Sequence, residues 1–156
     1  MVNKSLVSVE KRLKSLDVTK LVEYTRKIKD IGALNNMMAP TYLRDFIMAQ
    51  DHTSSLLSMA IRCDVEAQSA LDTAKSIAYL DNAGEYLEKK GIKDTAEARK
   101  QYIDLDEDVI KAKDLKAKTA ALVTFLKNKY QSFRQAHDDI KKTAYGDQYQ
   151  TPNEGF

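Results

Sequence analysis

Over most of this chain, apolar side chains recur at alternating spacings of three and four, the period that lines them up on one face of a helix. The clearest run is the last one. Between Asp106 and about Ala144 there is no Gly or Pro, and Val109, Ala112, Lys116, Thr119, Val123, Leu126, Tyr130, Phe133, His137, Ile140 and Ala144 share one stripe. The opening turn, DEDV, is acidic where the helix dipole favours negative charge, and Asp104 and Asp106 are the candidate caps. A stripe of this period is the pattern of a coiled-coil seam. It predicts an oligomer contact lined by Val109, Ala112, Val123, Leu126, Tyr130, Phe133, His137 and Ile140.

Upstream, Leu6, Val9, Leu13 and Leu16 predict a short amphipathic helix over residues 4–15, with Lys4, Lys11, Arg12 and Lys14 on its other faces. Asp17 is placed to cap a second helix running to about Ile31, and GALNNMMAP breaks it. Pro40 suits a first helical turn, and from Thr41 to about Leu80 the chain again lacks Gly and Pro, which predicts one long helix. Leu43, Phe46, Leu57, Ala60, Ala67, Leu71, Ala74 and Ala78 form one stripe along it, interrupted by Gln50, Thr53 and Asp64. Leu56, Met59, Cys63, Ala70 and Ile77 form a second apolar flank. Two flanks predict two neighbours, and a single wide stripe is the alternative.

Next, DNAGEYLEKKGIKDT, with Gly84 and Gly91, reads as a loop holding a short helix. DTAE at 94–97 has the form of a capping box, Asp94 being the cap and Glu97 reaching back, and opens a helix that ends near Tyr102. The final stretch, GDQYQTPNEGF, has no periodicity and is expected to be mobile. The expected architecture is all-α: long helices in an antiparallel bundle with a C-terminal coiled-coil-like oligomerisation helix. Residues 1–145 then form a single helical domain and 146–156 a tail.

Composition agrees with long helices, since there are only 5 Gly and 2 Pro and no Trp. Cys63 is the sole cysteine, in the apolar run LLSMAIRC. It cannot form an intramolecular disulfide, reads as a small buried residue, and fits a reducing compartment. No run is long enough to span a bilayer, so a cytoplasmic protein is expected.

Chemistry is sparse. His137, followed by Asp138 and Asp139, has no Glu-x-x-His, His-x-x-x-His or cysteine cluster to complete a metal site, and GxSxG and Gly-rich phosphate loops are missing. Neither an enzyme nor a bound metal or cofactor is expected.

Charge placement says more than net charge, which is +2 from 25 basic and 23 acidic residues. Lys113, Lys127, Arg134 and Lys141 sit at heptad spacing on one flank of the last stripe, broken only by Ala120, and Lys129 lies on the opposite flank. At a rise of about 1.5 Å per residue this basic ridge is roughly 40 Å long. Either it pairs with acidic residues such as Glu66, Asp72 or those of another subunit, or it meets a polyanion. Repeated around an oligomer, the ridge becomes a strong basic surface. Tyr79, Tyr86 and Tyr102 are candidates to stack bases or to fill the core.

EAQ at 66–68, IAYL at 77–80 and DEDVI at 106–110, taken with the order of long helix, charged loop and C-terminal amphipathic helix, resemble the UvsY family of phage recombination mediators over residues 60–140. The resemblance implies a non-enzymatic protein that binds single-stranded DNA and assembles into ring-like homo-oligomers through its C-terminal helices. It also implies help in loading a RecA-like recombinase onto strands coated by a single-strand-binding protein. The family carries basic residues before the aromatic end of the long helix, whereas SALDTAKSIAYL here holds only Lys75. The expected DNA surface is then the ridge of the last helix or the loop lysines Lys89, Lys90 and Lys93. The rival reading is a structural or regulatory helical-bundle protein that oligomerises, binds a protein partner and neutralises the ridge with carboxylates.

Overall fold

A computed structural model of the chain describes residues 2–146 and shows an all-α protein, with no strand among the described residues. Of the predicted tail, residues 147–156 lie outside the described residues. Six helices follow in order: α1 (Val2–Ser15), α2 (Thr19–Ile28), α3 (Ala39–Ile77), α4 (Ala83–Lys89), α5 (Ala96–Ile103) and α6 (Glu107–Tyr145). The N-cap of α2 is Val18 and not the expected Asp17, which lies one residue earlier and accepts hydrogen bonds from the Thr19 N–H (2.9 Å) and hydroxyl. A 3-10 turn, Ile31–Ala33, separates α2 from α3, and Pro40 falls in the first turn of α3, where its missing N–H has no intrahelical partner to lose.

Side chains gather into two compact units, and the long helices α3 and α6 contribute to both. The first comprises residues 2–16 and 59–123. Its core joins Leu6 and Val9 of α1, Cys63, Ala67, Ala70, Leu71 and Ala74 of α3, and Val109, Ala112 and Leu115 of α6. So many alanines leave little side-chain volume between helices, which lets the backbones approach closely. Arg12 forks onto both oxygens of Glu66, joining α1 to α3, and Lys116 pairs with Asp64 at 2.7 Å, joining α6 to α3.

The second unit comprises residues 17–58 with 124–146. Four rings make its centre. Phe133 of α6 meets Tyr24 of α2 edge-on at 6.0 Å and Phe46 of α3 at 6.2 Å, and Phe46 in turn meets Tyr42 at 6.4 Å. Lys27 lies over the Tyr42 ring at 5.6 Å and pairs with Asp45 at 2.5 Å.

The long helix α3 corrects the expectation of two apolar flanks. Most of its buried residues form one heptad stripe, Phe46, Ala49, Thr53, Leu56, Ala60, Cys63, Ala67, Ala70 and Ala74, continued by Ala78 in the following turn, with Leu71 buried beside it. Met59, assigned to the second flank, is exposed, and Leu43 and Leu57 are only half-buried. Thr53 belongs to the stripe because its hydroxyl donates to the Ala49 carbonyl at 2.6 Å, leaving the methyl for the core.

The segment DNAGEYLEKKGIKDT, read as a loop holding a short helix, does hold one, α4, but that helix follows α3 with no loop before it. A π-helical turn, Ala78–Asn82, carries α3 into α4, so Gly84 is a helical glycine. The chain leaves α4 at Gly91, whose φ of +64° permits the Ile92 N–H to reach the Leu87 carbonyl at 2.9 Å and its own N–H to reach Glu88 at 3.0 Å. The cap of α5 is Thr95, whose hydroxyl accepts from the Ala98 N–H at 3.1 Å, and not Asp94.

Asp94 instead takes the guanidinium of Arg99 through two hydrogen bonds of 2.7 Å. Arg99 also donates to the Tyr79 carbonyl at 2.7 Å and the Leu80 carbonyl at 3.3 Å, inside the π turn. A wide turn leaves carbonyls without their usual helical donors, and a planar fork can serve a carboxylate and the backbone together where an ammonium cannot. Arg99→Lys is therefore expected to speed amide hydrogen exchange across residues 79–85 while leaving α1 unchanged. Unchanged exchange at 79–85 would show that the turn holds without the fork.

Candidate nucleic-acid interface

Helix α6 places Lys127, Arg134 and Lys141 on one face, because a step of seven residues is two helical turns. All three are exposed, and among the described residues none has a carboxylate within ion-pair range. Asp138, one turn beyond Arg134, is turned toward His137, with Oδ1 3.4 Å from Nδ1. Asp139 accepts from Gln135 at 2.7 Å. Residues 124–146 carry five basic and two acidic side chains, so this part of α6 is locally cationic although the chain as a whole is nearly neutral.

The other proposed cations have different surroundings. Lys113, the first member of the ridge, pairs with Asp104 at 2.6 Å, and the lysine holds that carboxyl below the usual carboxylate range. Lys89 pairs with Glu85 at 2.6 Å along α4. Lys90 and Lys93 are exposed around the Gly91 turn, and Lys75 is half-buried. Ala120 and Lys113 thus end the ridge on the N-terminal side, and its uncompensated part is Lys127, Arg134 and Lys141. The acidic partners suggested for it are engaged elsewhere, Glu66 with Arg12 and Arg62 and Asp72 with Gln68.

The stripe read as an oligomer seam is taken up within the chain. Val109 and Ala112 sit in the core of the first unit, Leu126 and Ile140 are buried, and Phe133 lies in the ring cluster of the second. Val123, Tyr130 and His137 are half-buried. A single apolar stripe cannot face its own chain and another at once, so any self-association needs a different surface. Among the described residues no three His, Cys, Asp or Glu side chains, His137 included, gather where one ion could bind them.

The tyrosines named as stacking candidates are occupied by the fold. Tyr86 and Tyr102 stack on each other at 4.8 Å, the Tyr102 hydroxyl donates to Asp106 at 3.1 Å, and the Tyr79 ring lies under Arg99 at 5.8 Å. Among the described residues the exposed aromatic is Phe125, 41% accessible, with the Lys129 ammonium 5.6 Å from its ring centre. Lys129 also donates to the Thr25 hydroxyl of α2 at 3.1 Å, which brings it to a groove shared with Arg26 and Lys29. Sequence reasoning nominated neither α2 cation. Their spacing of three was a signal, but only the pairing of α2 with α6 gives it meaning. Comparison of the chain with protein-family models, with curated proteins and with solved structures finds no match.

Proposed function

We propose that this chain is a non-enzymatic protein that binds single-stranded DNA without sequence preference, the phosphates being held by Lys127, Arg134 and Lys141. The observation that carries the reading is the row of three exposed cations at heptad spacing with no ion-pair partner among the described residues. Like charges in a row repel one another, and a polyanion relieves that repulsion while releasing its own counterions. The resemblance to UvsY-type mediators extends the proposal: an oligomer, built as an antiparallel helical bundle, would help load a RecA-like recombinase onto strands coated by single-strand-binding protein. Self-association would then use exposed apolar side chains of the long helices, such as Ile47, Ile61 and Val65 of α3 or Ile110 of α6. Those same side chains favour the second reading, a regulatory bundle that binds a protein partner.

Titration into labelled oligo(dT) at several salt concentrations tests the DNA reading. With three phosphates neutralised, log K is expected to fall against log salt with a slope of about −2, at roughly −0.7 per phosphate on a single strand. Lys127→Glu with Arg134→Glu is expected to weaken binding about tenfold or more at low salt and to flatten the slope to above about −1. No binding at low salt would sink the reading and leave the protein-partner one. Light scattering supplies the companion result, since a mass fixed at one chain over all concentrations would remove the assembly from the proposal.

A further inference from the structure

The groove between α2 and α6 in the second unit has a composition unlike the phosphate ridge. Its floor is apolar, formed by Val18 just before α2, Leu21 and Val22 of α2 and the ring of Phe125 on α6. Leu21 is buried beneath it, while Val22 and Phe125 remain 52% and 41% exposed. Arg26, Lys29 and Lys129 stand around this floor, and among the described residues none of them is ion-paired. The groove encloses about 270 Å³, which is below the roughly 300–1,000 Å³ of sites that engulf a whole small molecule. It has room for a bulky side chain, presented by something larger.

We propose that this groove is a docking site for an acidic peptide segment of a partner protein, with a bulky apolar side chain seated on Val22 and Phe125 and carboxylates on Arg26, Lys29 and Lys129. Charge complementarity and an apolar floor together select such a segment over a bare polyanion. The one hydroxyl in the floor, Thr25, is already satisfied: it donates to the Leu21 carbonyl at 2.6 Å and accepts from Lys129 at 3.1 Å. The floor therefore offers no free polar group to the edge of a nucleobase, whereas an apolar side chain needs none. Phe125 already carries a cation over its ring, and an incoming carboxylate can hold that ammonium in place. The groove and the Lys127–Arg134–Lys141 row lie on opposite flanks of the α6 stripe, so the docking site stands independently of the DNA reading.

The probe is a short fluorescein-labelled peptide of Asp and Glu with a central Leu-Phe pair, followed by fluorescence anisotropy on the full chain at low salt. The same peptide with Ala-Ala at its centre is expected to bind at least about tenfold more weakly, because burial of the apolar pair is lost. Arg26→Glu with Lys29→Glu is expected to abolish binding, and Val22→Glu, which puts a carboxylate into the floor, to weaken it severely. Both variants change exposed positions, and retained thermal melting by circular dichroism shows that they fold. Lys127→Glu with Arg134→Glu, which acts only through long-range charge, is expected to weaken peptide binding far less than the Arg26 and Lys29 changes and to lose that effect as salt is raised.

Several results would overturn the proposal. Equal binding of the two peptides means that charge alone is being read, and no binding at low salt removes the site. Displacement of the peptide by oligo(dT) that survives the Lys127 and Arg134 changes assigns the groove to nucleic acid. A fall in mass by light scattering in the Arg26 and Lys29 variant assigns it to a second copy of this chain.

Discussion

Phe133→Ala is expected to destabilise the unit formed by residues 17–58 and 124–146 by about 3–5 kcal/mol, the usual cost of truncating a buried phenylalanine. Phe133 is fully buried and is the only ring of the cluster that touches both Tyr24 of α2 and Phe46 of α3. Its removal deletes two aromatic contacts, each worth roughly 0.5–1.5 kcal/mol beyond area, and opens a cavity that three helices would have to collapse into. In thermal melts this corresponds to a midpoint lowered by about 6–20 °C. Phe125, eight residues earlier on the same helix and 41% exposed, is the control. Phe125→Ala is expected to stay within about 0.5 kcal/mol of the parent. Equal losses for the two variants would show that α6 is rotated from the register described, and with it both the ridge and the groove.

That register is where sequence and structure agree most closely, and for a physical reason. A helix with one apolar stripe and a capped, acidic start is specified by local chemistry, so the extent of α6, its cap at Asp106 and its buried face at Val109, Ala112, Leu126, Phe133 and Ile140 were all legible. What the period could not say is whose surface the stripe meets. A heptad packs in the same way against its own chain or another, and here it meets α1, α2 and α3 of the same molecule. The second miss has a related cause. Reading α3 by hydrophobicity weighted Leu57 and Met59 above Ala49 and Thr53, yet close-packed helices bury small residues and leave larger ones at the edge.

Around Gly84 the short helix is legible but its junction with α3 is not: at Gly84 the helix bears only a modest propensity cost, about 1 kcal/mol, while the positive φ that requires glycine occurs at Gly91. The fork of Arg99 onto the π-turn carbonyls has no local signature, because Tyr79 and Leu80 lie 20 and 19 residues before it, although its carboxylate partner Asp94 is only 5 away. The cationic site was legible in part. The row of basic residues was visible, but which members are free depended on where the carboxylates fold, and Lys113 and Lys89 proved to be paired. Arg26, Lys29 and Phe125 come together only through tertiary packing.

Asp106→Asn is expected to destabilise the other unit by about 1–3 kcal/mol at neutral pH, because the cap oxygen is kept while the buried Asn82 and Tyr102 donors lose their acceptor and the charge at the helix N-terminus is lost. Asp106 is 5% exposed. Its Oδ1 accepts the N–H groups of Asp108 (3.0 Å) and Val109 (3.2 Å) at the start of α6, where the helix dipole also favours a negative charge. Its Oδ2 accepts from the Asn82 amide (3.0 Å) in the π turn and from the Tyr102 hydroxyl (3.1 Å) on α5, so one carboxylate ties three elements together. Burial acts to raise its pKa, but the four hydrogen bonds outweigh burial and hold the group below the ordinary carboxylate value. The Tyr102 phenol is shifted the other way, upward, first by burial and then by its bond to this carboxylate.

A carboxyl whose folded pKa lies below its unfolded one contributes its full stability above the unfolded value, about 3.9 for aspartate, and loses it as pH falls through the folded value. Urea midpoints measured from pH 7 down to pH 3 should therefore show the gap between parent and Asp106→Asn at its widest near neutrality and narrowing as the medium becomes acidic. A gap that stays constant with pH would mean that shape, and not the charge of the carboxylate, holds the junction. The two outcomes separate cleanly because Asn keeps one carbonyl oxygen for the α6 cap but presents an amide donor to Asn82 and Tyr102, where the ionised group presents a second acceptor.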